Sequence, residues 1–172
     1  MIKSWILSAL AIAIMPMACE PSEWPLPLPS SQTSPSPPSE PIAPLTAIEQ
    51  EIFDQVNQYR VERGFAALAL APSITEQARQ HSQEMAASDV LSHDGFEQRV
   101  ASIGRSIAYR SAAENVAYNQ GFADPSGQAV TGWINSPGHL QNIEGTFNLT
   151  GVGVFQTPEG KYFFTQIFVL RR

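Results

Sequence analysis

The chain has 172 residues, with 10 Lys+Arg against 16 Asp+Glu for a net charge of −6, and only 15% of it is charged. A single cysteine excludes a disulfide framework and any zinc site built from several thiolates. The acidic balance leaves no basic stripe with which to neutralise phosphates, so no nucleic-acid partner is expected.

The first 18 residues read as a signal peptide. Lys3 supplies a positive start, and Trp5 to Met15 is an apolar run of eleven. A spanning helix needs about 20 such residues, so this run suits a signal-peptide core rather than a retained span. The only cysteine, Cys19, follows directly after Met17 and Ala18. That placement resembles the bacterial lipoprotein signal, in which the cysteine is lipidated and becomes the first mature residue. Pro16 stands where leucine is usual, and an ordinary secretory signal with a stray cysteine is the alternative. The expectation is an exported protein of the cell envelope, lipid-anchored at Cys19 or secreted, rather than held by a spanning helix.

Residues 19–45 form a linker. Nine of the 14 prolines and six serines fall between Glu20 and Leu45. Proline removes amide donors and restricts its neighbours, so a solvated, extended segment is expected. At ~3.1 Å per residue it reaches roughly 80 Å at most. Trp24, Leu26 and Leu28 are the sizeable apolar side chains of its first half.

Residues 46–172 make the domain, with 9 basic and 13 acidic side chains for a charge of −4. Thr46 and Glu49 spell a capping box, and Ile48, Ile52, Val56 and Tyr59 follow at helical spacing, predicting a helix over 46–63 that ends at Gly64. Ser73 and Glu76 repeat the box, with Ile74, Ala78, His81 and Met85 on one face of a helix over 73–88. A shorter helix is predicted near Phe96–Ile103, and a further one is admitted near Ala113–Tyr118. Asp124-Pro125 opens a helix to about Asn135, and Ser136-Pro137 opens a short one carrying His139 and Leu140. The C-terminus changes period: residues 150–156 and 161–170 flank a Thr-Pro-Glu-Gly turn and read as a hairpin. In the second strand both phases are apolar, with Phe163, Ile167 and Val169 on one face and Tyr162, Phe164, Phe168 and Leu170 on the other. Helices must therefore cover both faces of an antiparallel sheet. The predicted fold class is α+β, a three-layer α-β-α sandwich around a small antiparallel sheet. Gly151 and Gly153 share a face of the first hairpin strand, where a neighbouring element can come close.

Three runs carry candidate chemistry. LSHDGF (91–96) places His93 in a polar turn. AAENVAYNQG (112–121) places Glu114 among small apolar residues, where a carboxylate is costly without a partner. GWINSPGHLQNI (132–143) places His139 in the first turn of a helix, where the positive helix end disfavours imidazolium and leaves a base or a metal ligand. HExxH, GxSxG and P-loop motifs are absent from the sequence, Gly151-Val152-Gly153 lacks the rest of a dinucleotide fingerprint, and Cys19, either lipidated or in the linker, is not expected to be a nucleophile.

From about Ile48 to Phe168 the chain resembles the CAP superfamily of cysteine-rich secretory, antigen 5 and pathogenesis-related 1 proteins, in its bacterial extracellular branch. The resemblance rests on VNQYR (56–60), Ala78 and Met85, Ser92-His93, Glu114-Asn115-Val116-Ala117, Trp133, Ser136-Pro137-Gly138-His139 with Asn142-Ile143, and Gly151-Val152-Gly153-Val154, in that order. It implies an α-β-α sandwich with a three-stranded antiparallel sheet. It also implies a central cavity lined by His93, Glu114 and His139, with Asn142 beside them. His93 and His139, joined by Glu114, would be the ligands of a divalent metal such as zinc. Many animal members carry a second glutamate three residues after the tryptophan; here that position is Ser136.

Two function classes follow. One is a tethered ligand-binding or interaction module that takes a small molecule, a lipid or an envelope protein in the His/Glu cavity and works as a monomer. The other is a metal-dependent envelope hydrolase or peptidase, with His93 and His139 on the metal and Glu114 as ligand or base. The missing second carboxylate and the lack of a strict metalloenzyme motif favour the first. Plainer roles are open for each residue: a hydrogen-bonded polar cluster for His93 and His139, a paired carboxylate for Glu114, core packing for His81 and Trp133, and a backbone partner for Asn142.

Overall fold

The computed structural model describes residues 43–172. The signal segment, Cys19 and nearly all of the linker lie outside the described residues. Among the described residues no helix is long and apolar enough to cross a membrane.

Helix α1 (Ala47–Glu62) starts on the expected capping box: Thr46 Oγ1 accepts from the Glu49 amide, and Glu49 Oε2 accepts from the Thr46 amide at 2.8 Å. Strand β1 (Ala69–Leu70) has two residues, and helix α2 (Pro72–Ser88) follows. The second predicted capping box does not form. The helix begins one residue earlier, Ala71 is its N-cap, and Pro72 in the first turn sets the start by its fixed φ. Helix α3 spans Phe96–Ile103 as predicted.

Strand β2 covers Tyr109–Gln120, so the helix admitted near Ala113–Tyr118 is not formed. Its run of alanines favours a helix locally, but eleven register pairs with β4 override that preference. Helix α4 (Pro125–Ile134) is capped by Asp124, whose Oδ1 accepts from the Gly127 amide at 2.8 Å. Helix α5 (Pro137–Ile143) follows, with Ser136 as an N-cap whose side chain makes no capping bond. Strands β3 (Leu149–Gln156) and β4 (Lys161–Arg171) form the expected hairpin.

The sheet has four strands in the order β1-β3-β4-β2, rather than three. The extra one, β1, pairs in parallel with β3 through only two residues, too short to leave a pattern in the sequence. β4 is central and covered on both sides. Phe164 and Phe168 pack with Ile52, Val56, Val130 and Trp133 of α1 and α4, while Ile167 and Val169 pack with Ile74 and Ala78 of α2. This is the α-β-α sandwich.

Two contacts fix its geometry. At Gly153 an added Cβ would lie 2.1 Å from the Arg79 amide nitrogen, and at Gly151 it would lie 2.2 Å from that of Thr75. Helix α2 thus rests on the bare backbone of β3. Ser82 Oγ, fully buried, lies 2.9 Å from both the Gly153 carbonyl, to which it donates, and Thr165 Oγ1. On the other side, buried Arg60 of α1 donates to the carbonyls of Ala66, Ile143, Gly145 and Phe147, tying α1 to the end of α5 without any carboxylate.

Gly153→Ala should lose about 1–3 kcal/mol or more, because a backbone neighbour cannot step aside as a side chain can. Gly132→Ala, in α4 with open space around its Cβ position, should gain up to about 1 kcal/mol. Urea midpoints of the two variants against the parent chain check both signs.

Candidate functional site

β2 is an edge strand, and its two faces carry different chemistry. Glu114, Val116 and Tyr118 pair with Ile167, Thr165 and Phe163 and so share the α2 side of the sheet. Glu114 is buried, and its charge is met there. Arg99 of α3 donates from Nε to Oε2 at 3.0 Å and from Nη2 to Oε1 at 2.8 Å, a bidentate pair. Arg99 is itself buried and also donates from Nη1 to the Asp94 carbonyl at 2.7 Å. The partner that Glu114 needs is therefore Arg99, which the sequence reading missed. The signal was present: an arginine beside Val100 and Ile103 on a short apolar helix, upstream of a carboxylate in an apolar strand.

His93 lies at the rim, its side chain about half exposed, with Nδ1 2.9 Å from Glu114 Oε1. A carboxylate only accepts, so Nδ1 carries the proton. Whenever the ring is neutral, Nε2 is the free acceptor. Glu114 is thus an orienting carboxylate rather than a free ligand or base: each of its oxygens already accepts from Arg99 or His93.

His139 reaches the same region from the far side of the strand. Asn115 Nδ2 donates to the His139 carbonyl at 3.1 Å, and Asn142 Nδ2 donates to Asn115 Oδ1 at 2.9 Å and to the Glu114 carbonyl at 3.3 Å. Asn142 therefore holds α5 to the open edge of β2, its plainer role. Trp133 holds α4 to the same edge two residues on, through Nε1 to the Val116 carbonyl at 3.1 Å, while its ring is core. Burial, and then the nearby charge of His93, hold the His139 imidazole below its ordinary pKa. His139 is thus kept neutral.

His139 stands at one end of an open groove of about 610 Å³ along β2 and α4, whose walls include Leu91, Tyr118, Phe122, Gln128 and Trp133. Leu91, Tyr118 and Phe122 are exposed apolar side chains, so the groove is an apolar surface open to solvent. Ser136, three residues after Trp133, lines it as well. Among the described residues no three of His, Cys, Asp or Glu are arranged to hold a metal. With Glu114 committed to Arg99, the expected His93, His139 and Glu114 ligand set does not fit a three-ligand metal centre.

Comparison with known proteins agrees with this architecture. Residues 53–168 match the family described as CAP: Cysteine-rich secretory protein family. The chain belongs to this family. It is 29% identical over 131 residues to the Bacillus subtilis protein YkwD, an alignment covering 73% of this chain and 48% of that protein. An extracellular protein containing a SCP domain from Bacillus anthracis superposes with a TM-score of 0.61 at 29% identity, over 74% of this chain and 45% of that one. An outer surface protein of Borrelia burgdorferi superposes with a TM-score of 0.66 at 16% identity, over 76% and 97% of the two chains, which shows a shared fold. The chain spans about half the length of the Bacillus proteins it matches.

Two outcomes check the site. Arg99→Met should cost about 3–5 kcal/mol by stranding a buried carboxylate, and the double variant Arg99→Met/Glu114→Leu should regain most of it in denaturant titrations. The His139 ring should titrate below the ordinary histidine value of about 6.5 and move up in His93→Gln, followed by NMR of the ring protons. A lowered histidine pKa favours the neutral ring in the folded state. Its contribution is present above about 6.5 and is lost as pH falls through the lower folded pKa.

Proposed function

We propose that the domain is an extracytoplasmic ligand-binding module, held at a membrane by a lipid on Cys19 and spaced from it by the proline-rich linker. The observation that carries the binding role is one neutral imidazole, His139, at the end of an open apolar groove, with a second, His93, oriented by Glu114 close enough to influence it. The ligand this suits is amphipathic. Its apolar body lies against Leu91, Tyr118 and Phe122, and a hydroxyl or amide head donates to the imidazoles. The extracellular Bacillus anthracis protein, 29% identical, supports the location.

The competing reading, a metal-dependent hydrolase, needs a free carboxylate as base or ligand, and Glu114 already accepts from Arg99 and His93. The binding module is therefore preferred. A tether suits binding, since two or three acyl chains hold a protein stably at a membrane where one does not.

Two experiments test these points. Growth on labelled palmitate should label the chain but not Cys19→Ala; label surviving in that variant, or none in the parent, overturns the anchor. For the groove, a panel of neutral amphiphiles (long-chain alcohols, monoacylglycerols, sterols) should shift the His139 and Tyr118 ring signals, and Tyr118→Ala/Phe122→Ala should weaken binding about tenfold or more. No shift from any of the panel, or turnover of a peptide library by the full chain, would defeat the reading.

A further inference from the structure

Helix α2 carries a third histidine that the groove does not use. His81 is buried, with a side chain only 4% exposed. Its Nε2 is 2.8 Å from the Ser92 carbonyl, which only accepts, so Nε2 holds the proton. In the neutral ring Nδ1 is then a bare lone pair, and it is buried without a hydrogen-bond partner. The opposite tautomer would leave the Ser92 carbonyl facing another lone pair at hydrogen-bond distance.

One turn along the same helix stands Glu84, an i,i+3 neighbour on the same face. Its Oε1 accepts from Gln80 Nε2 at 3.0 Å, while Oε2 lies 3.6 Å from His81 Nδ1. That gap is too long for a hydrogen bond. It suits a shared cation: zinc sits about 2.0–2.1 Å from a histidine nitrogen and about 2.0–2.2 Å from a carboxylate oxygen. The sum of those two distances exceeds the gap, so the ion would sit off the line between the atoms, at a bent angle of roughly 115–130°, somewhat wider than the tetrahedral one.

Both residues line a separate pocket of about 300 Å³, together with Ser88, Ser92 and Asp94. Two carboxylates and no cationic side chain line it. The surroundings also have the usual second layer of such a site. A ligating imidazole normally passes its other N–H to a backbone carbonyl, which fixes the tautomer and strengthens the ligand, and Ser92 already fills that part.

We propose that His81 Nδ1 and Glu84 Oε2 form a divalent transition-metal site of zinc type, with water completing the shell and Asp94 on the pocket wall. Its two ligands are not shared with the His93, Glu114 and His139 region, although the two abut: His81 Nε2 lies 3.9 Å from Glu114 Oε1. Because Ser92 precedes His93, a metal here would polarise the His81 N–H and tighten its bond to the turn that carries His93.

Zinc titration of the full chain in detergent micelles tests this, with calorimetry for affinity and ring-nitrogen NMR for the ligating atom. Glu84→Gln keeps the side chain's shape at a largely exposed position and should fold. Zinc should bind the parent at micromolar concentrations and move the His81 Nδ1 resonance. Affinity should fall about tenfold or more in Glu84→Gln and stay unchanged in His93→Gln/His139→Gln. Loss of binding in that double variant with Glu84→Gln unaffected would overturn the proposal, as would a parent chain that takes up no zinc. Neither result bears on whether amphiphiles occupy the groove.

Discussion

The close seating of α2 on Gly151 and Gly153 sets the dimensions of everything on that side of the sheet. With no Cβ between them, helix and strand meet backbone to backbone. Ser82 then reaches both β3 and β4, Met85 packs with Val116 and Phe163, and His81 Nε2 lies within 3.9 Å of Glu114 Oε1. A side chain at either glycine would lift the helix. It would open a gap where the polar groups of α2, α3 and β2 now converge.

That convergence explains how a carboxylate is accommodated in an apolar layer. Two donors from a guanidinium whose plane matches the carboxylate, with an imidazole beside them, satisfy Glu114. The arrangement is rigid because Arg99 is also anchored to the Asp94 carbonyl in the turn that presents His93. The histidine at the rim is thus aimed by buried groups, while the groove beyond it is left open and apolar. Structure and binding surface are divided along one strand: the even-numbered face of β2 near Glu114 is spent on ion pairing, and its outer end near Tyr118 faces solvent.

Much of this was legible in the sequence where the signals were local or periodic. The capping box at Thr46, the Asp124-Pro125 start, the α3 span and the doubly apolar β4 each follow from a few neighbouring residues, and each is found. The paired glycines correctly announced a close approach. What failed did so because the deciding partner lay far away in the chain. The alanine-rich run at 112–117 looks neutral until β4 pairs with it. Ser73 and Glu76 match a capping pattern, but Pro72 starts the helix first. β1 is a strand only because β3 is beside it. In the site, Glu114's need for a cation was evident and its identity was not, since nothing in the spacing of Arg99 and Glu114 says that they meet. The family likeness named His93 and Glu114 for one cavity, and the two lie 2.9 Å apart. It could not tell that Arg99 had already claimed the carboxylate.

The two faces of the sandwich are locked by chemically different devices. On the α2 side, the buried Glu49 carboxylate binds Arg79 through two contacts of 2.8 and 2.6 Å and also accepts from the Val154 amide on the open edge of β3. Burial works to raise its pKa, but the bonds from Arg79 and Thr46 outweigh it and hold the group below its ordinary value. That lock exists above the usual carboxylate range and dissolves as pH falls through the lowered pKa. On the α1–α5 side the fastening is Arg60 on four carbonyls, none of which titrates, and burial does not bring a guanidinium near losing its proton. Acid therefore attacks the sandwich asymmetrically. The seam between α1, α2 and the β3 edge hangs on a carboxylate, while the Arg60 fastening of α5 does not itself titrate and leaves the Tyr59 bond to Glu144, at 3.0 Å, as the contact there that acid can reach.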